Sequence, residues 1–283
     1  MSTKTKEYRD QVATVAQEYY NSSDADTFYY TIWGGEDIHI GLYEGEDHSI
    51  FDAGRQTVKL MAAQLGNLSP EAKVIDIGAG YGGSARFLAR EYGCSVVALN
   101  ISEVENERDR RKNRGQGLDH LIDVVDGSFE DISYEADTFD AVWSQDAILH
   151  SGNRRRVLEE IGRVLKPGGE LVFTDPMMAD DCPTDVLQPI LDRIHLDSLG
   201  SPGFYRKELE RLGFTEVGFL DHTHQLPVHY GRVLRETERN EPKLREVVSG
   251  EYIDRMKNGL RHWVEGGEKG RLVWGVFHFR KQR

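Results

Sequence analysis

From Val74 onward, short runs of β-branched and other apolar residues alternate with stretches whose apolar positions recur at helical spacing. The pattern predicts strands over 74–77, 95–100, 122–125, 139–144 and 170–174, and helices over 83–92, 103–115 and 154–165. The strands read as continuous apolar runs, not as period-two alternations. Both faces of such a sheet are covered, which indicates parallel strands between helical layers. Lys166-Pro167-Gly168-Gly169 reads as a helix end followed by a turn. Residues 272–279 read as one closing strand. Two stretches fall outside this rhythm: 1–67 is helical and aromatic-rich, and 177–250 mixes helices with His and Tyr after the fifth strand. Ligands bind beyond the C-terminal ends of the strands in open α/β sheets, so both stretches are placed to roof a site there.

Composition narrows the function classes. The 283 residues suffice for one large domain or a core with a cap, and 39% apolar with 29% charged residues is a globular balance. The net charge of −13, from 48 acidic and 35 basic residues, argues against nucleic acid as a partner. It fits a protein in a salty or solute-rich cytoplasm. No window approaches the ~18–20 apolar residues of a membrane span, and residues 1–10 carry no secretory apolar region. Cys94 and Cys182 form neither a disulfide framework nor a metal spacing, so no metal and a reduced, cytoplasmic location are expected.

The strongest local signal is Val74-Ile-Asp-Ile-Gly78-Ala-Gly80-Tyr-Gly82-Gly83, a strand entering a glycine turn and a helix. Glycines allow the tight turn and a close approach of backbone to ligand. Nicotinamide enzymes use a similar turn, but with the spacing Gly-x-Gly-x-x-Gly. Here Asp76 precedes the first glycine. Its carboxylate would repel a pyrophosphate, yet suits the cationic amino-acid end of S-adenosylmethionine (SAM). The turn therefore resembles that of SAM-dependent methyltransferases. In enzymes of that kind the second strand ends on an acid that holds the ribose; this chain has Asn100, followed by Ile101. Asn can still donate and accept hydrogen bonds. After the third strand, Asp126-Gly127-Ser128-Phe129 occupies the usual adenine position, with Ser128 for the amino group and Phe129 against the ring. Asp126 reads equally well as a solvated loop acid.

The whole chain resembles the sarcosine/dimethylglycine N-methyltransferases, which make glycine betaine. The resemblance rests on Trp33-Gly-Gly-Glu-Asp-Ile-His-Ile-Gly-Leu-Tyr43, the glycine turn, Trp143-Ser-Gln-Asp-Ala-Ile-Leu-His150, Thr174-Asp-Pro-Met177, Gln188-Pro-Ile-Leu-Asp-Arg-Ile194, His262-Trp263 and Trp274-Gly275. It implies an α/β, Rossmann-like class I methyltransferase fold with a mostly parallel seven-stranded sheet and helices on both faces. The corresponding organisation is a helical lid over 1–67, a SAM-binding core over 68–176, a substrate-side insertion over 177–250 and closing strands over 251–283. SAM is the implied methyl donor and S-adenosylhomocysteine the product. The segment around Asp146 and His150 is also similar to phosphoethanolamine methyltransferases. That likeness implies that Tyr20, Ile38 and His39 close over the cofactor and that Gln145 touches it.

Methyl transfer to nitrogen is an in-line displacement governed by positioning and electrostatics, and the amine must first lose its proton. His150 is the candidate base, with Asp146 as its orienting or electrostatic partner; four positions apart, they would share a face of a helical turn. A substrate carboxylate suits an Arg, first Arg193 and then Arg206. Trp33, Tyr205 and Trp274 are candidate walls for a quaternary ammonium. Arg154-Arg155-Arg156 reads as a solvated helix face. The expected partner is a small amine bearing a carboxylate, with neither nucleic acid nor membrane, as a monomer or a dimer. The glycine-to-sarcosine step, a phosphoethanolamine-type amine, and a non-catalytic SAM-binding regulator are the competing functions.

Overall fold

β1 (Lys73–Ile77) sends Ile75 and Ile77 to one side of a sheet and Val74 to the other, all fully buried. The computed structural model describes residues 14, 15, 17–194 and 196–283, apart from the side chains of Thr184 and Arg193. β1 pairs in parallel with β2 (Ser95–Asn100) and β4 (Phe139–Gln145). β3 (Ile122–Asp126) flanks β2, and β5 (Leu165–Thr174) flanks β4, also in parallel. β7 (Phe214–Asp221) and β9 (Gly275–Lys281) complete seven strands in the order β3-β2-β1-β4-β5-β9-β7. Among the described residues, β9 alone runs opposite to the other six strands of this sheet. This is the Rossmann-like architecture of class I methyltransferases.

On one face, Ile75, Phe139, Leu158, Phe173 and Phe277 pack together; on the other, Val58, Leu88, Trp143 and Val276 do so. Each such side chain contributes ~1.5–3 kcal/mol by leaving water, which accounts for a sheet buried on both sides. The covering helices include α2 (Ile50–Ala62), α3 (Gly83–Tyr92), α4 (Glu103–Gly115) and α5 (Arg154–Val164), while α1 (Ser23–Trp33) packs away from the sheet.

Three local readings change. β5 begins at Leu165, so Lys166-Pro167-Gly168-Gly169 is carried inside a strand. The β4–β5 register slips between Phe139 and Ala141 to take up the extra residues, and Gly168 turns there at φ 81°. The closing run is broken at Trp274 into β8 (Leu272–Val273) and β9, and β8 pairs with the short β6 (Met177–Met178). β7 arises within 177–250, among α6 (Gln188–Ile194), α7 (Pro202–Arg211) and α8 (Gln225–Leu244). Its exposed Glu216 and Val217 blur the apolar signal, as an edge strand allows.

The roof is aromatic. Phe28, Tyr29 and Trp33 of α1 pack with Val233 of α8 and with Tyr252, Met256 and Leu260 of α9 (Gly250–Glu268). Ser22 caps α1 by accepting from the Ala25 N–H at 3.2 Å, and Ser249 caps α9 by accepting from the Tyr252 N–H at 3.3 Å. The roof therefore joins the N-terminal segment to the part of the chain that follows β5.

Candidate active site

β1 ends against a turn that only small backbone can make. Gly78 sits at φ 81°, and a Cβ there would fall 2.3 Å from the Cβ of Ala147. Its N–H donates to the Leu99 carbonyl at 2.8 Å, which ties the turn to β2. Above it opens a cavity of about 730 Å³, mouth included. Gly78, Gly80, Asn100, Ile101, Ser128, Phe129 and Gln145 all line it, as do Tyr20 and Ile38 from the N-terminal segment.

Glu105 also lines this cavity, and the sequence reading missed it. Ser102 caps α4 by accepting from the Glu105 N–H at 3.2 Å, which sets Glu105 in the first turn. There its Oε2 accepts from Asn100 Nδ2 at 2.8 Å. The acid absent from the end of β2 thus reaches the same place from the next helix. The signal was present as Ser-x-x-Glu, a cap pattern that fixes which way the Glu faces. Burial pushes the Glu105 carboxyl up to about 7, with Asp26 adding to the shift and Asn100 and Arg108 opposing it. Asp126, by contrast, pairs with Arg110 at 2.5 Å on the exposed side, as a solvated loop acid does.

Two buried polar groups stand at the glycine turn. Asp76 is 2% exposed, and burial, then Asp109 and Asp37, raise its pKa well above the ordinary carboxylate range. Gln145 Oε1 accepts from Trp143 Nε1 at 3.0 Å and from the Ser84 hydroxyl, which fixes the amide and leaves Nε2 without an acceptor. A deeply buried acid and an unpaired amide N–H₂ next to one glycine turn fit the ammonium and carboxylate of an amino-acid moiety.

A second cavity, about 890 Å³ with its mouth, lies under the roof. Tyr19, Tyr20, Tyr29, Trp33, Tyr230 and Trp263 give it aromatic walls, and His39, His150 and His229 also line it. Among the described residues, neither Lys nor Arg does. The two cavities share four residues: Tyr20, Ile38, Asp146 and His150. Whatever passes between the chambers passes these side chains.

Asp146 and His150 follow β4 but not as one face of a regular helix. Asp146 takes φ 50°, and a 3-10 turn covers Ile148–His150. Asp146 Oδ2 accepts from the Ile40 N–H at 2.7 Å, and Oδ1 accepts from Trp274 Nε1 at 2.8 Å. Burial raises the Asp146 pKa, while His39, the Ile40 N–H and Trp274 oppose the rise. His150 Nε2 lies 3.0 Å from the Tyr20 hydroxyl, with the rings edge to face.

The remaining expected residues fall elsewhere than anticipated. His39 lines the roofed cavity, not the glycine-turn cavity; its Nδ1 lies 3.1 Å from the Ile40 carbonyl. Trp274 is fully buried behind Asp146 instead of forming a wall. Tyr205 is fully buried in the core, where its O–H donates to Asp175 Oδ2 at 2.6 Å. Asp175 Oδ1 accepts from the Leu149 N–H at 3.0 Å, so Tyr205 braces the turn that carries His150. Arg206 pairs with Glu216 at 2.8 Å at the surface, over the rings of Phe219 and Phe277. The side chain of Arg193 lies outside the described residues. Arg154 is less solvated than expected, since its Nη2 donates to the Leu149 carbonyl at 3.0 Å and to the Ser198 carbonyl.

A family model for a methyltransferase domain matches residues 75–173. The chain is 62% identical to a sarcosine/dimethylglycine N-methyltransferase of Halorhodospira halochloris over 97% of its own length and 98% of the relative's. It is 54% identical to another from Aphanothece halophytica, over 96% of this chain and 98% of that one. The chain belongs to the sarcosine/dimethylglycine N-methyltransferase family. It is a SAM-dependent N-methyltransferase. A crystal structure from Galdieria sulphuraria, named as a sarcosine dimethylglycine methyltransferase, superposes with a TM-score of 0.89 at 42% identity. The match covers 93% of this enzyme and 99% of that chain. A phosphoethanolamine N-methyltransferase of Haemonchus contortus, solved with S-adenosylhomocysteine, shares the fold at a TM-score of 0.82 and 17% identity. That match covers 96% of the enzyme and 60% of the Haemonchus chain. The buried Asp76, the orphaned Gln145 Nε2 and the glycine turn of the enzyme fit SAM as the methyl donor. No helix of the described residues is long and apolar enough to cross a membrane.

Proposed function

We propose that the enzyme methylates sarcosine and N,N-dimethylglycine at nitrogen to give glycine betaine, a zwitterion suited to accumulation as an osmolyte in the cytoplasm. The observation that carries this reading is the aromatic chamber that meets the glycine-turn cavity at Tyr20, Ile38, Asp146 and His150. Aromatic faces hold alkylated ammonium groups by cation–π attraction, which favours a substrate that already carries methyl groups.

In this reading Asp76 holds the ammonium of SAM, Gln145 its carboxylate, Asn100 with Glu105 its ribose, and Ser128 with Phe129 its adenine. Bound SAM supplies a methyl group on a sulfonium, ready for displacement by an amine. Asp146, held by two N–H donors, places negative charge where the amine becomes cationic. His150 with the Tyr20 hydroxyl takes up the proton of the incoming ammonium. The roof excludes water, which strengthens both effects.

The test is turnover with SAM and a panel of glycine, sarcosine, dimethylglycine and phosphoethanolamine. Consumption of sarcosine and dimethylglycine, with the other two untouched, supports the reading. Preferential use of glycine or phosphoethanolamine overturns it.

A further inference from the structure

If the substrate is an N-methylated amino acid, its carboxylate needs a seat in the roofed chamber, where a buried indole N–H without an acceptor stands beside an imidazole that lines the same wall. His229 is 1% exposed and lines the chamber. Its Nδ1 accepts from the Gly41 N–H at 3.2 Å and lies 2.9 Å from the Tyr43 hydroxyl. A backbone N–H can only donate, so Nδ1 is unprotonated and the proton of the neutral ring sits on Nε2. Nothing among the described residues accepts from Nε2. Burial, with His39 adding to it, holds the His229 pKa down at about 3, so the ring stays neutral.

Trp33 stands beside it, with ring centroids 5.7 Å apart, and lines the same chamber. Its indole Nε1–H is buried without an acceptor. A buried donor left unmade costs ~1–3 kcal/mol, so the orphaned indole N–H, beside an imidazole N–H that faces the same chamber, points to a ligand that accepts from both.

We propose that Trp33 Nε1–H and His229 Nε2–H form the carboxylate subsite of the amino-acid substrate, an anion seat built from neutral donors. The inference rests on the substrate reading above and adds the groups that select an amino acid over a plain amine. A neutral seat has a physical advantage here: a buried cation would repel the ammonium that the same chamber must receive.

The experiment measures KM and kcat for dimethylglycine, turnover of N,N-dimethylethanolamine (the same amine without a carboxylate), and SAM affinity by calorimetry. Trp33→Phe removes the donor and keeps an aromatic ring. His229→Asn keeps an acceptor for Gly41 and Tyr43 and removes Nε2–H. Each variant is expected to raise the dimethylglycine KM about tenfold or more, the scale of a hydrogen bond to a charged group. SAM affinity should stay within about twofold of wild type, and dimethylethanolamine turnover should fall far less than dimethylglycine turnover. Unchanged KM in both variants, or parallel losses on both amines, overturns the subsite. So does a KM that rises only in Arg193→Met. Failure of the wild type to methylate either sarcosine or dimethylglycine sinks the substrate reading and the subsite with it.

Discussion

Trp274 donates its indole N–H to Asp146 Oδ1 at 2.8 Å, across the break between β8 and β9. The break in the closing strand therefore has a structural purpose. It turns a fully buried indole out of the sheet ladder and onto the carboxylate that both cavities share. Asp146→Asn removes the charge and keeps a side chain tolerated at positive φ. Its kcat should fall about 100-fold, a loss typical of one electrostatic contact at a reacting centre, with SAM binding changed far less. Single-turnover kinetics beside calorimetry would show it.

Trp274→Phe should act through the same carboxylate. The indole N–H opposes the burial that raises the Asp146 pKa, so losing it lets that pKa rise further. The acid limb of kcat should then move to higher pH, with the alkaline limb in place. A uniform drop in rate at every pH would instead mean packing damage.

Tyr20 and His150 should fail together. Tyr20→Phe and His150→Gln each remove one end of the 3.0 Å contact. Each is expected to lower kcat about 100-fold or more, the usual contribution of positioned proton transfer. The double variant should be little worse than the worse single one, because both act on one proton.

Glu105 should make SAM affinity depend on pH. Its carboxyl titrates at about 7 in the folded protein, against 4.5 ordinarily. Ribose hydroxyls donate best to an ionised carboxylate, so binding is linked to loss of that proton. Affinity should rise as pH climbs toward 7, by at most about tenfold per unit, and level off above it. Stability of the ligand-free protein should move the other way. Above the unfolded pKa the folded state holds the extra proton, so stability falls as pH rises toward the folded value. Glu105→Gln should flatten both curves, in calorimetry and in thermal melts.

Gly78→Ala should abolish SAM binding without unfolding the sheet. The added methyl meets Ala147 Cβ at 2.3 Å in a left-handed conformation that a side chain disfavours by about 1 kcal/mol or more. Calorimetry that detects normal SAM affinity in this variant would show that the turn does not approach the cofactor.

The sheet was legible because each core strand is an apolar run bounded by turn residues, and β1 to β5 were found on that basis. β7 was not, since an edge strand with Glu216 and Val217 exposed carries too few buried positions to mark its period. The glycine-turn cavity was largely readable because its residues lie next to strand ends, where chain order fixes place. The roofed chamber was not. Tyr29, His229, Tyr230 and Trp263 meet only through the packing of α1, α8 and α9, with Tyr19 reaching them from the stretch before α1, and an aromatic residue on a helix looks the same in a core as in a wall. Tyr205 and Trp274 show the converse: their composition suited a wall, but their polar tips are occupied by Asp175 and Asp146.

Tyr20 and Ile38 line both chambers at once. Sarcosine requires two methyl groups, and the spent donor must leave between them. Release past those shared side chains would also uncover the half-methylated amine. The two transfers are then distributive: dimethylglycine should accumulate free in solution while sarcosine is still abundant, and an added pool of labelled dimethylglycine should mix fully with it before betaine forms.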